Sequence, residues 1–205
     1  MTMARTIGPR IYYRVKPDTP AMKAIKKLDA IDDAWHKAVR ALFKELQLPK
    51  EMKPFGNHRI WGFVSNPRQP SIDYVEAHSD EWRWERKHGY ARARRNTPAG
   101  KAIAAKFDAL PRGIDGETMN REIVGVGAFF AGLAIVFCGY WHNVKTGEAV
   151  VIIPSAIVAA AKAKSGKSVL GKRTNSIPVL PKGLTEMKTS DALTLMGEMK
   201  EEVEA

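Results

Sequence analysis

Nineteen consecutive residues, Ile123 to Trp141, carry no formal charge. A run of that length is close to the roughly 20 apolar residues that a bilayer-spanning helix needs, so it forces a choice between a membrane span and a buried interior. A second apolar stretch, Ala149-Val150-Val151-Ile152-Ile153, follows the polar segment His142 to Glu148, which contains Gly147. A single membrane helix leaves that stretch without a partner, whereas two apolar strands around a polar, Gly-containing loop make a β-hairpin. Basic residues also flank the run on both sides, Arg92 to Arg95 before it and Lys162 to Lys172 after it, so no charge asymmetry orients a span. The reading adopted is a hairpin of Leu133 to Trp141 with Ala149 to Ile153, and no membrane insertion is expected. Glu122 to Ala131 fits either a further strand or a short helix.

Two helices are marked by both their starts and their periodicity. Thr19-Pro20 and Thr97-Pro98 each offer a threonine N-cap followed by proline at the first helical position. After Pro20, the apolar residues Ile25, Leu28, Ile31, Trp35, Val39, Leu42 and Leu46 recur at spacings of three and four, which predicts an amphipathic helix to Gln47. Lys23, Lys26, Lys37, Arg40 and Lys44, interrupted by Asp33, fall on its opposite, solvated face. After Pro98, Ile103, Phe107 and Leu110 define a shorter stripe. Ile11 to Val15 and Arg59 to Ser65 read as strands, Lys50 to Asn57 as a loop, and Ser155 to Lys164 as an alanine-rich helix. The fold class expected is α+β, a mainly antiparallel sheet packed by two or three amphipathic helices, in a single domain over residues 1–161.

Beyond that domain the composition changes. Residues 162–190 carry seven lysines and arginines against Glu186 alone, broken by Gly166, Gly171, Pro178, Pro181 and Gly183, which favours an extended basic arm. Residues 191–205 form a short acidic amphipathic segment. The whole chain has a formal charge of +11 and a pI near 9.8, which favours nucleic acid, an anionic membrane or an acidic protein surface as partner. The single cysteine, Cys138, allows no intramolecular disulfide and no thiolate zinc site, and a reducing, cytoplasmic setting is expected.

Chemistry concentrates in residues 82–95, where Trp82, Trp84 and Tyr90 are interleaved with Arg83, Arg86, Lys87, Arg92, Arg94 and Arg95 and the single acid Glu85. Cationic side chains neutralise phosphates and aromatic faces stack on bases. A helix capped by Ser71 or Ser79 is one way to order this region, although Gly89 weakens it. In that setting the tryptophans pack into a core as readily as they stack on a ligand. Lys167, Lys172 and Arg173 of the arm are expected to add reach to the same nucleic-acid-binding surface.

Other motifs are incomplete. Gly166-Lys167-Ser168 lacks the first P-loop glycine, since position 161 is alanine. His58, His78 and His142 are isolated, with no metal-binding or nucleophile spacing around them, so no metal, cofactor or catalytic residue is assigned. Cys138 sits where a small buried hydrophobe is expected. The function expected is a small basic accessory protein that binds nucleic acid through an aromatic-arginine surface. A protein-binding accessory or inhibitor acting on an acidic partner is the alternative, and a nucleotide- or nucleic-acid-modifying enzyme using the loop histidines is a second. DNA or RNA, single strand or duplex, and the oligomeric state are left open.

Overall fold

The computed structural model describes residues 9–50, 52–54, 64–65, 69–85, 90–131, 134–164 and 177–204. In chain order the elements are β1 (Arg10–Val15), α1 (Pro20–Glu45), β2 (Lys53–Pro54), β3 (Val64–Ser65), α2 (Gln69–Ala77), β4 (Trp82–Glu85), β5 (Tyr90–Ala93), α3 (Pro98–Asp108), α4 (Gly116–Val124), β6 (Phe129–Ala131), β7 (Ala134–Val136), β8 (Gly139–His142), β9 (Ala149–Pro154), α5 (Ser155–Lys162), β10 (Leu184–Met187) and α6 (Thr189–Glu204). Every strand pairing among the described residues is antiparallel, and the fold is α+β. The chain divides into two compact units, Met1–Asp29 with Asp115–Ala205, and the intervening Ala30–Ile114.

In the first unit a four-stranded sheet has the order β10-β1-β9-β8. β9 is apolar along nearly its whole length, and Ala149, Val150, Val151 and Ile153 are all buried, as befits a strand flanked on both edges by others and covered on both faces. The expected hairpin joins β8 to β9. Its loop is held by Asn143, whose Oδ1 accepts from the amides of Lys145 and Thr146 at 2.9 and 3.2 Å, the local turn chemistry that asparagine favours. Thr19 caps α1 as expected, its Oγ1 accepting from the Met22 amide at 3.3 Å.

The uncharged run is not one helix. Ile123 and Val124 end α4, and later residues supply β6, β7 and β8; among the described residues no helix is long and apolar enough to cross a membrane. The strand expected over Leu133 to Trp141 is two strands, broken at Phe137 and Cys138. A fully buried side chain, Asn120 of α4, explains the break. Its Nδ2 donates to the Val136 carbonyl at 3.0 Å and its Oδ1 accepts from the Cys138 amide at 2.6 Å, so the amide replaces the strand partners that the backbone lacks there.

Within the basic stretch read as an arm, residues 165–176 lie outside the described residues, and Leu184–Met187 pairs with β1 as the outer strand β10. The turn into it uses Gly183 at φ +99°, where a Cβ would fall 2.3 Å from Thr19. Only glycine meets both conditions.

In the Ala30–Ile114 unit the sheet order is β2-β3-β5-β4. Trp35, Val39 and Leu42 on the later turns of α1 are buried, on the stripe that the periodicity predicts. Leu42 joins Val75 of α2 and Ile103 and Phe107 of α3 in one core with Trp82, Ala91 and Ala93. Thr97 caps α3 by accepting from the Gly100 amide at 3.1 Å, and a Cβ on Gly100 would lie 2.0 Å from the Arg94 carbonyl oxygen. Glycine there lets the helix start directly against the end of β5. Two expectations are corrected. Lys53 and Pro54, read as loop, pair with Ser65 and Val64, and the proline is tolerated because β2 is a sheet edge. Of the strand expected over Arg59 to Ser65, Val64 and Ser65 form β3, and residues 55–63 lie outside the described residues. Nor is the described part of the aromatic-basic segment helical: α2 ends at Ala77, and β4 and β5 are paired strands.

Two stability measurements check this description. Asn120→Ala leaves the Val136 carbonyl and the Cys138 amide unmet and is expected to cost about 2–4 kcal/mol in urea unfolding. Burial pushes the Cys138 thiol up to about 12 from an ordinary 9.0. The folded thiol thus keeps its proton to higher pH than the unfolded one, so its contribution is complete below about pH 9 and is lost as pH rises toward 12. Stability measured from pH 8 to 10.5 is expected to fall more steeply in the native chain than in Cys138→Ala.

Candidate nucleic-acid interface

Residues 82–85 and 90–93 read W-R-W-E and Y-A-R-A, an alternation of period two. In a strand, successive side chains point to opposite faces. Across β4 and β5 the register is Trp82↔Ala93, Arg83↔Arg92, Trp84↔Ala91 and Glu85↔Tyr90, and directly opposed residues share a face. The hairpin therefore sorts the mixed segment. Trp82, Trp84, Ala91 and Ala93 turn toward the core, and Arg83, Glu85, Tyr90 and Arg92 turn outward.

The inward face is closed. Trp82 is 1 % exposed and meets Phe107 edge-on, with ring centroids 6.1 Å apart at 87°. Trp84 is half-buried against the same core. The stacking role expected of Trp82 is corrected on that ground, because its ring is already covered by protein, and Trp84 is a packing residue on the same face. Tyr90 is half-buried and is the aromatic that β5 places outward.

The outward face is arginine-rich and paired. One carboxylate oxygen, Oε1 of Glu85, forms ion pairs with both arginines, 2.7 Å from Nη2 of Arg83 and 2.8 Å from Nε of Arg92. Two like charges directly opposed across strands repel, and the carboxylate between them offsets that repulsion. Arg95, just past β5, donates through Nη2 to both carboxylate oxygens of Asp108 on α3 at 2.8 and 2.9 Å. Pairs this exposed contribute about 0–1 kcal/mol each, so they position the guanidinium groups more than they stabilise the fold. Arg83, Arg92 and Arg95, with Ala93 and Asn96, line a concavity of about 360 Å³.

The remaining expected residues divide. Arg94 braces the fold: its amide donates to the Glu81 carbonyl at 2.7 Å and its Nε to the Trp82 carbonyl at 3.2 Å. Arg86, Lys87, Lys167, Lys172, Arg173 and His58 lie outside the described residues. Lys37, Arg40 and Lys44 on α1 are exposed, which fits a solvated face. Asn96, and the carboxylates Glu85 and Asp108 as counter-ions, do not stand out as site residues in the sequence. The alternation places Glu85 beside Arg83, but its partnership with Arg92 requires the cross-strand register.

Two of the histidines singled out in the sequence have defined surroundings. In the first unit, His142 on β8 is held through Nδ1 by Oδ2 of Asp29 at 2.5 Å, and the Tyr140 hydroxyl donates to Oδ1 of the same carboxylate at 3.1 Å. The imidazole side chain is only 6 % exposed, so this network ties β8 to α1. In the Ala30–Ile114 unit, His78 stacks on Tyr74 at 4.1 Å and 21°. Its Nδ1 is 2.9 Å from the Tyr74 carbonyl oxygen, which acts only as an acceptor, so Nδ1 carries the proton. Burial and then the Glu81 carboxylate raise the Tyr74 phenol above its ordinary value, against a smaller lowering by the Trp82 indole. Among the described residues no three His, Cys, Asp or Glu side chains group as a metal site. No protein-family model, curated protein or solved structure matches the chain.

The two faces of the hairpin respond differently to substitution. Trp82→Ala is expected to destabilise the chain by about 3–5 kcal/mol, as for other large buried side chains, while Arg92→Ala changes stability by no more than about 1 kcal/mol. Denaturant unfolding of both variants measures the contrast.

Proposed function

We propose that this chain is a small basic accessory protein that binds nucleic acid through the outward face of the β4–β5 hairpin. The observation that carries the reading is the set of three arginines, Arg83, Arg92 and Arg95, that line one concavity, with Asn96 as a further polar residue on its wall. Guanidinium presents planar, paired donors that match phosphate oxygens. The Glu85 oxygen between Arg83 and Arg92 marks a position where an anionic oxygen lies within ion-pair distance of both. A phosphate oxygen has the same chemistry and suits the same seat.

The net charge of +11 supports the reading by drawing polyanions to the surface. The single, buried, protonated Cys138 is consistent with a reducing, cytoplasmic setting.

The test is fluorescence anisotropy of labelled oligonucleotides over a range of salt, with circular dichroism confirming that each variant is folded. The triple variant Arg83→Ala/Arg92→Ala/Arg95→Ala is expected to bind more weakly, and the slope of log Kobs against log salt for a duplex should become shallower by about 0.9 for each phosphate that is no longer neutralised. Glu85→Gln removes the competing carboxylate and is expected to tighten binding about fivefold, from roughly 1 kcal/mol for one unit charge at 4 Å in water. Unchanged affinity in both variants would remove the proposal.

A further inference from the structure

We infer that the hairpin surface reads the phosphate chain alone, so that its ligand class is a phosphodiester or polyphosphate chain whose bases are not contacted. The inference rests on the proposed binding of nucleic acid and narrows it. Base stacking requires an open aromatic face, and the register takes both tryptophans of the aromatic-basic segment away from the arginines. Trp82 packs edge-on against Phe107 and Trp84 against the core. None of the described Phe, Tyr or Trp side chains in the Ala30–Ile114 unit is exposed. Tyr90 shares the arginine face, but it is half-buried.

The groups lining the concavity have a different capacity. Arg83 and Arg92 converge on a single oxygen, and a shared oxygen is a feature of a phosphate or carboxylate, where charge is concentrated on small terminal atoms. Arg95 adds a third cationic residue to the same lining. Contacts of this kind fix position on a backbone and carry no sequence information. Single strands and duplexes are then bound according to their charge density, and inorganic polyphosphate competes with both.

The decisive probe is an abasic oligodeoxyribose-phosphate strand, compared in anisotropy competition with a base-bearing strand of the same length and with long-chain inorganic polyphosphate. Stacking is worth roughly fivefold to a hundredfold in affinity per base. The expected result is that the abasic strand binds within about threefold of the base-bearing one, that polyphosphate displaces either, and that Tyr90→Ala leaves the ratio unchanged. A base-bearing strand that binds more than about tenfold tighter than the abasic strand would overturn the inference while leaving nucleic-acid binding intact. If neither strand nor polyphosphate binds at low salt, the proposed function itself fails and this inference with it.

Discussion

The indole of Trp82 decides the geometry around it. A ring of that size buries 150–250 Å² of surface, worth about 4–6 kcal/mol at 25 cal/mol per Å². Opposing two arginines across a strand pair costs no more than about 1 kcal/mol. The hydrophobic term therefore chooses the register, and the charges take the positions left to them. Once Trp82 points inward, alternation sends Arg83 and Glu85 outward, and pairing with β5 sends Tyr90 and Arg92 to the same side. A slip of β4 by one residue would turn its two faces over completely, exposing both tryptophans and burying Arg83 and Glu85. No arrangement of surface ion pairs compensates for that.

Three arginines that are close neighbours in sequence have different roles for this reason. Arg92 lies within β5 and faces outward beside Glu85, Arg94 lies one residue past the strand and turns to a backbone carbonyl, and Arg95 is drawn toward Asp108 on α3. The capped start of α3 fixes where the last of these sits. Thr97, held to the Asp80 carbonyl at 2.5 Å as well as to the Gly100 amide, joins the chain just before β4 to the chain just after β5. The basic surface is thus defined by packing beneath it, from Phe107 upward, and by one cap at its margin.

How much was legible in the sequence follows from the range of the forces involved. α1 and α3 were readable because a cap and a stripe of spacing three and four lie within a few residues of one another, and the buried positions Leu28, Trp35, Val39 and Phe107 follow from the spacing. The β8–β9 hairpin was readable because its strands are adjacent in the chain. The break at Phe137 and Cys138 was not, because it depends on Asn120, which reaches the strand from a different element. For the candidate site, the residue types were visible and their division between faces was not, since charge density drew attention away from an alternation only four residues long in each strand. Glu85 as the shared partner of Arg83 and Arg92 depends on pairing between strands, which no local pattern specifies.

The division of the chain into a continuous unit and a discontinuous one orders events during synthesis. All of Ala30–Ile114 is contiguous, so once Ile114 has left the ribosome every strand and helix needed for that core is present. β1 is made before the strands it pairs with, β9 and β10, at residues 149–154 and 184–187. Closing so long a connection is slow relative to local pairing. Until those late segments emerge, a six-residue strand carrying Ile11, Tyr12, Tyr13 and Val15 is present with both of its edges unpaired. The two edges are completed by different segments made at different times, so exposure of β1 to mispairing with other chains lasts until residues 184–187 have emerged.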